Sequence, residues 1–203
     1  LVDNQVGKIV NKLKQTKKYQ NTIFVITSDQ GFQLGEHGIW KKRCFYEQNV
    51  RVPFIISCPE KLPKAKVINQ QIEMIDFLPT LLEICSLPIP QNIRGKSLIN
   101  LIEGRTTRHR KAVFSEIDHS MSMYDELRNN SGRRVMVRTE KWKMEYFHDP
   151  RVKNKDGSLY NLIEDPGETQ NLYKNPQNKS VIKMLEKLVI EWDRKSGLAD
   201  QSG

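Results

Sequence analysis

The chain has 203 residues, with 33 Lys and Arg against 24 Asp and Glu, a formal net charge of +9, and 37% hydrophobic and 28% charged residues. This composition is polar but not that of a disordered chain. No apolar run of about eighteen residues is present to form a membrane-spanning helix, and three cysteines are too few for a disulfide scaffold. The basic surplus suits an anionic partner, whether nucleic acid, a sulfated or phosphorylated sugar, or a membrane surface. A solvated lysine-rich face accounts for it equally well. The chain starts at Leu1, and Lys8, Asn11, Lys12 and Lys14 interrupt any apolar core of a signal peptide. It therefore reads as beginning inside a longer protein.

Residues 2–19 carry Val2, Val6, Ile9, Val10 and Leu13 at helical spacing, with lysines on the other face. Asp3 suits the first turn, where negative charge is favoured. Residues 22–27 form a continuous β-branched run, which predicts a strand buried on both faces as in a parallel sheet. Helix followed by strand is half of an α/β unit. Periodicity then disappears over residues 28–49, where Gly31, Gly35 and Gly38 stand among acidic, basic and amide side chains. Long irregular loops in compact domains are usually functional. This one starts where a buried strand ends, the place where open α/β sheets hold ligands.

Residues 52–58 predict a second strand, interrupted by Pro53. Residues 75–87 predict a helix with Phe77, Leu78, Leu81, Leu82 and Ile84 on its apolar face and Pro79 in its first turn. A short helix fits within residues 95–102, and a strand at 112–117. Residues 133–138 and 142–147 alternate and predict an antiparallel pair turning at 139–141. Asp156-Gly157 signals a turn before a short strand at 158–160. Residues 176–192 predict a closing helix with Val181, Met184, Leu185, Leu188 and Val189 on one face. The plan is an α/β domain over residues 1–110, then a small antiparallel sheet with a packed terminal helix over 111–203. There is no internal repeat.

Asp29 and Gln30 follow the first strand directly. Their oxygens are hard donors, suited to Ca²⁺ or Mg²⁺, but two donors do not fill a six-coordinate shell. A turn in which Asp29 caps a backbone amide uses the same residues. Next come Gly35-Glu36-His37-Gly38 and Lys41-Lys42-Arg43. A lysine ammonium suits a sulfate or phosphate oxygen, and a histidine can protonate a leaving oxygen near neutral pH. A solvated basic run and a loop histidine bonded to backbone are the plain alternatives.

Read as one string, Thr27-Ser28-Asp29-Gln30-Gly31-Phe32-Gln33-Leu34-Gly35-Glu36-His37-Gly38-Ile39-Trp40-Lys41-Lys42 closely resembles the second signature region of the sulfatases, in the alkaline phosphatase superfamily. Tyr46-Glu47, Val50-Arg51-Val52-Pro53, Asp76-Phe77-Leu78-Pro79-Thr80-Leu81-Leu82 and Arg94-Gly95-Lys96-Ser97-Leu98 continue the resemblance. So do Val137-Arg138-Thr139-Glu140-Lys141-Trp142-Lys143 and Leu159-Tyr160-Asn161-Leu162-Ile163-Glu164-Asp165-Pro166-Gly167-Glu168. It is collinear over nearly the whole chain. It implies the carboxyl-terminal part of an alkaline-phosphatase-like α/β domain followed by a small antiparallel subdomain. It also implies that Asp29 and Gln30 bind an active-site Ca²⁺, that Lys42 contacts the substrate sulfate, and that His37 lines the pocket. His119, after the strand at 112–117, is a further substrate-contact candidate, against the alternative of an exposed loop histidine.

The family nucleophile is a formylglycine made from a Cys/Ser-x-Pro-x-Arg motif in the amino-terminal half. That motif is not found here. Cys85-Ser86-Leu87-Pro88-Ile89 has its proline one place late and no arginine, and Ser57-Cys58-Pro59-Glu60-Lys61 has lysine for arginine and follows the metal pair. The resemblance therefore predicts a Ca²⁺-dependent sulfuric ester hydrolase, acting on a sulfated small molecule or saccharide. This stretch alone is expected to be inactive without the missing amino-terminal half of its domain. Family habit implies an exported or lysosomal location. The competing readings are a phosphonate or phosphate ester hydrolase of the same superfamily and a non-catalytic module binding anionic polysaccharide. No nucleic-acid motif is present, so no nucleic-acid partner is expected. His109 and His148 read as surface residues, Cys44 as a packed or free thiol, and Trp142 and Trp192 as packing residues.

Overall fold

The computed structural model describes residues 1–42, 44–118, 133–147 and 157–196. Contacts divide the chain into two units. One comprises Leu1–Asp29 and Val52–His109, the other Gln30–Arg51 and Arg110–Gly203. The irregular loop after the first strand thus belongs to the second unit.

In the first unit, α1 (Val2–Gln15) ends earlier than its apolar spacing suggests. The Thr16 amide closes on the Lys12 carbonyl, and Lys17 turns to φ 58°. None of its residues is fully buried. Strand β1 (Phe24–Thr27) pairs antiparallel with β2 (Phe54–Ser57), in register Phe24↔Ser57 to Thr27↔Phe54. The apolar run predicts a parallel-sheet strand, and the neighbour that β1 has among the described residues runs antiparallel to it. A continuous apolar run does not report direction. Pairing direction follows from where the chain returns, and here it comes back beside its own start.

The core of this unit is Cys58, Ile84, Leu98, Ile99, Leu101 and Ile102, with Phe54 and Ile56 of β2 packed on it. A 3₁₀ turn (Met74–Asp76) leads into helix α3 (Phe77–Ile84). Pro79 sits in the first turn, where no intrahelical donor is needed. Leu78 is 52% exposed and leaves the predicted apolar face. Helix α4 (Ile99–Ile102) is short. Asp76 is fully buried and accepts from the Glu73 amide at 3.0 Å and the Lys96 amide at 2.8 Å. His109 Nε2 lies 3.0 Å from Asp76 Oδ2 with its side chain 6% exposed. His109 is therefore a buried partner of Asp76 and not the surface residue expected. A buried carboxylate requires such partners.

The second unit is a four-stranded antiparallel sheet in order β3 (Val113–Asp118), β4 (Arg133–Arg138), β5 (Trp142–Phe147), β6 (Ser158–Asn161). Short helix α2 (Glu47–Val50) lies in the loop. Closing helix α5 (Lys179–Ser196) follows a 3₁₀ turn and packs on β4 and β5. Alternation puts Val135, Val137, Met144 and Leu159 on one face, where they meet Leu185 and Val189 of α5. Trp142 and Trp192 pack against this core as expected. Met184 does not, being 47% exposed, while Ile182 joins the packed set. Among the described residues no helix is long and apolar enough to cross a membrane.

Candidate active site

The loop Gln30–Arg51 is irregular in sequence but closely tied in space. The Gly31 amide donates to the Asn49 carbonyl at 2.8 Å, joining its two ends. A Cβ on Gly31 would overlap the Gln48 carbonyl oxygen, so only glycine permits this approach. Gly31→Ala is therefore expected to destabilise the second unit by about 1–3 kcal/mol, the range for overpacking a tight contact. A denaturant titration against the unaltered protein checks this, and an unchanged midpoint would contradict it.

Within the loop, the Gln33 amide donates to the Lys41 carbonyl and the Gly35 amide to the Ile39 carbonyl, each at 3.0 Å. The two arms thus run antiparallel around a tip at Glu36–Gly38. Gly35 (φ 117°), His37 (φ 54°) and Gly38 (φ 70°) all adopt the left-handed region. Amide hydrogen bonds from Glu36 itself and from Leu34 hold the Glu36 carboxyl below its usual pKa. The His37 imidazole stacks on the Tyr46 ring, with centroids 3.7 Å apart and planes 5° apart. Lys41 and Lys42 are exposed, and neither ammonium has a hydrogen bond or ion pair among the described residues.

The loop is held to the sheet by charge. The Glu47 amide donates to Glu168 Oε2 at 2.7 Å. Glu47 Oε1 accepts from Lys143 Nζ at 3.0 Å and Arg138 Nε at 3.1 Å. Lys143 Nζ also lies 2.6 Å from Glu168 Oε1, a contact of opposite charges and not an aligned hydrogen bond. Burial pushes the Glu47 pKa up, but Lys143 and Arg138 outweigh it and hold the group below its ordinary value. Beside this cluster the Tyr46 and Tyr160 hydroxyls meet at 3.5 Å. Burial first, then Tyr46, raises the Tyr160 pKa and keeps its phenol neutral. Cys44 is a free thiol contacting Asn49 Oδ1 at 3.3 Å.

Of the predicted site residues, Gln30, His37 and Lys42 lie on this one loop. Asp29 precedes it, exposed, with the Ser28 hydroxyl 3.4 Å from its Oδ1. His119 and His148 lie outside the described residues. Among the described residues no group of three or more His, Cys, Asp or Glu forms a metal cluster. Asp29 and Gln30 carry hard oxygen atoms, the donor type that suits Ca²⁺. The charge cluster and the Tyr46–Tyr160 contact carried no sequence expectation. Their residues fall within the family-like strings, but nothing in those strings reports that they meet.

The fold agrees with solved structures of the alkaline-phosphatase-like class. One, bound to its substrate D-glucosamine-2-N,6-O-disulfate, superposes with a TM-score of 0.77 at 29% identity, over 96% of this chain and 38% of that one. The phosphonate monoester hydrolase of Silicibacter pomeroyi gives 0.84 at 25% identity, over 96% and 39%. Two curated sulfatases are each 33% identical over 94% of this chain. They are an arylsulfatase of Clostridium perfringens, of which 37% is covered, and an N-acetylglucosamine-6-O-sulfatase of Bacteroides thetaiotaomicron, of which 33% is covered. Residues 35–195 match the family described as N-sulphoglucosamine sulphohydrolase, C-terminal, and the chain belongs to that sulfatase family. It spans about a third of the length of the curated relatives it matches.

Proposed function

We propose that this chain supplies the carboxyl-terminal part of the active site of a sulfuric ester hydrolase acting on a sulfated saccharide. One observation carries this reading: the loop bearing the sulfatase-like residues Gln30, His37 and Lys42 is pinned at both ends and turned tightly at its tip. The relatives named for glucosamine sulfates support the saccharide, and the net charge of +9 suits a polyanionic one.

In this reading the Lys42 ammonium offsets charge on a sulfate oxygen. The His37 imidazole hydrogen-bonds the ester and gives a proton to the leaving oxygen. Asp29 and Gln30 would hold Ca²⁺ with ligands from outside these residues, and the ion would supply positive charge against the sulfate. The nucleophile, a formylglycine in this family, would come from the Cys/Ser-x-Pro-x-Arg motif, which these 203 residues do not contain. Alone they are expected to bind sulfate esters without turning them over. Export or a lysosomal location is part of the same proposal.

The test uses the protein as its gene encodes it. Inorganic sulfate should be released from glucosamine 6-sulfate. EGTA should lower the rate at least a hundredfold and Ca²⁺ should restore it. Faster turnover of a phosphonate monoester would favour the second reading, which the Silicibacter pomeroyi similarity supports. Binding of a sulfated polysaccharide that falls steeply with salt and ignores metal, with no turnover, would leave the binding module.

A further inference from the structure

His37 holds a left-handed backbone conformation, φ 54° and ψ 19°, between two glycines that also have positive φ. A glycine would take that conformation without strain, whereas His37 takes it at a cost in backbone energy. The imidazole is exposed, yet its plane is set, because it lies flat on Tyr46 at 3.7 Å with only 5° between the rings. Tyr46 is tied to the sheet through its own hydroxyl and through the residue that follows it. Its hydroxyl meets that of Tyr160, a buried residue of β6, at 3.5 Å. The next residue, Glu47, has its amide held by Glu168 and its carboxylate held by Lys143 and Arg138. Asp165 also lies within electrostatic reach of His37 on the same unit.

We propose that Tyr46 is a positioning residue: a shelf anchored to the antiparallel sheet through Glu47, which sets the plane of the His37 imidazole toward the sulfate ester. The inference rests on the reading of His37 as a substrate contact. A flexible loop histidine would sample many orientations, and a stacked one loses few on binding substrate, which is where oriented groups gain rate. The shelf is aromatic because a flat π face restrains the tilt of a second ring, whereas an aliphatic side chain restrains only its distance.

The experiment compares Tyr46→Met, Tyr46→Phe, His37→Ala and the double variant Tyr46→Met/His37→Ala in the full-length protein. Tyr46→Met is expected to lower kcat/KM about tenfold. Tyr46→Phe, which keeps the stack, should lose no more than about threefold. In the double variant, Tyr46→Met should cost nothing beyond His37→Ala, because the first residue acts through the second. A merely structural role would give additive losses and overturns the proposal. Proton NMR of the ring reads the shelf without activity. The His37 ring protons should lie upfield of a free histidine and return downfield in Tyr46→Met but not in Tyr46→Phe. An unshielded His37 in the unaltered protein overturns the proposal even where Tyr46→Met fails to fold. Full turnover by His37→Ala overturns the underlying substrate-contact reading, and the inference with it. Additive losses overturn the inference alone.

Discussion

Lys42→Ala is expected to lower sulfate-ester turnover by about two to three orders of magnitude, the usual effect of removing one preorganised group from a developing negative charge. The residue lies just past the hairpin-like arm that ends at Lys41, whose carbonyl is tied to the Gln33 amide. The backbone under the ammonium is thus held, while the ammonium itself is exposed. It makes no hydrogen bond or ion pair among the described residues. Its loss should therefore leave the melting temperature within about one degree, since unpaired surface charges contribute little to stability. Lys41→Ala is the matching control and should cost less than about threefold. It removes the same charge from the same surface, so any general attraction of the basic loop for an anion is lost equally in both variants. Added salt should accordingly erase the small Lys41 effect and leave most of the Lys42 effect. Equal losses at the two positions would mean that the loop acts only as a diffuse positive field.

What could be read from the sequence was local. The β4–β5 hairpin appears at the expected residues because alternation over six residues, with a turn between, needs only neighbours to specify it. The sulfatase-like string placed His37 and Lys42 on one loop, because a contiguous motif keeps its order when it folds. The failures were long-range. The apolar run of β1 signalled a strand but not which strand would lie beside it or in which direction. His109 looked like a surface residue because its partner Asp76 is 33 positions away. Met184 and Ile182 both border the apolar stripe of α5, and only packing against the sheet decides which edge is covered. The Glu47 links to Lys143 and Glu168 join residues 96 and 121 positions apart. Each residue alone looks like an ordinary surface charge.

That cluster gives the largest expected change in stability. Lys143→Met keeps the volume of the side chain and removes its charge. The Lys143 side chain is 3% exposed, and its loss leaves Glu168, at 1%, without the ammonium it faces, while Arg138 still holds Glu47. Breaking a buried pair from one side typically costs about 3–5 kcal/mol, because the uncompensated charge stays buried. The cost should fall by more than half in Lys143→Met/Glu168→Gln. The amide removes the stranded charge and keeps an oxygen to accept the Glu47 amide. Acid should act in a known direction. The folded pKa of Glu47 lies below its ordinary value. The unaltered protein therefore has the full contribution of this group above roughly pH 4.3, and loses it as the pH falls through the depressed folded value. In Lys143→Met part of that contribution is already gone, so the gap in urea midpoint between the two proteins should stay wide from pH 7 down to about pH 4.3 and narrow only below it, as the pH falls through the depressed folded value. A gap of constant width would assign the loss to packing around the lysine stem. A narrowing gap would assign it to charge. In that case the sheet grips the loop electrostatically, and acid that loosens the grip should also release the loop carrying His37 and Lys42.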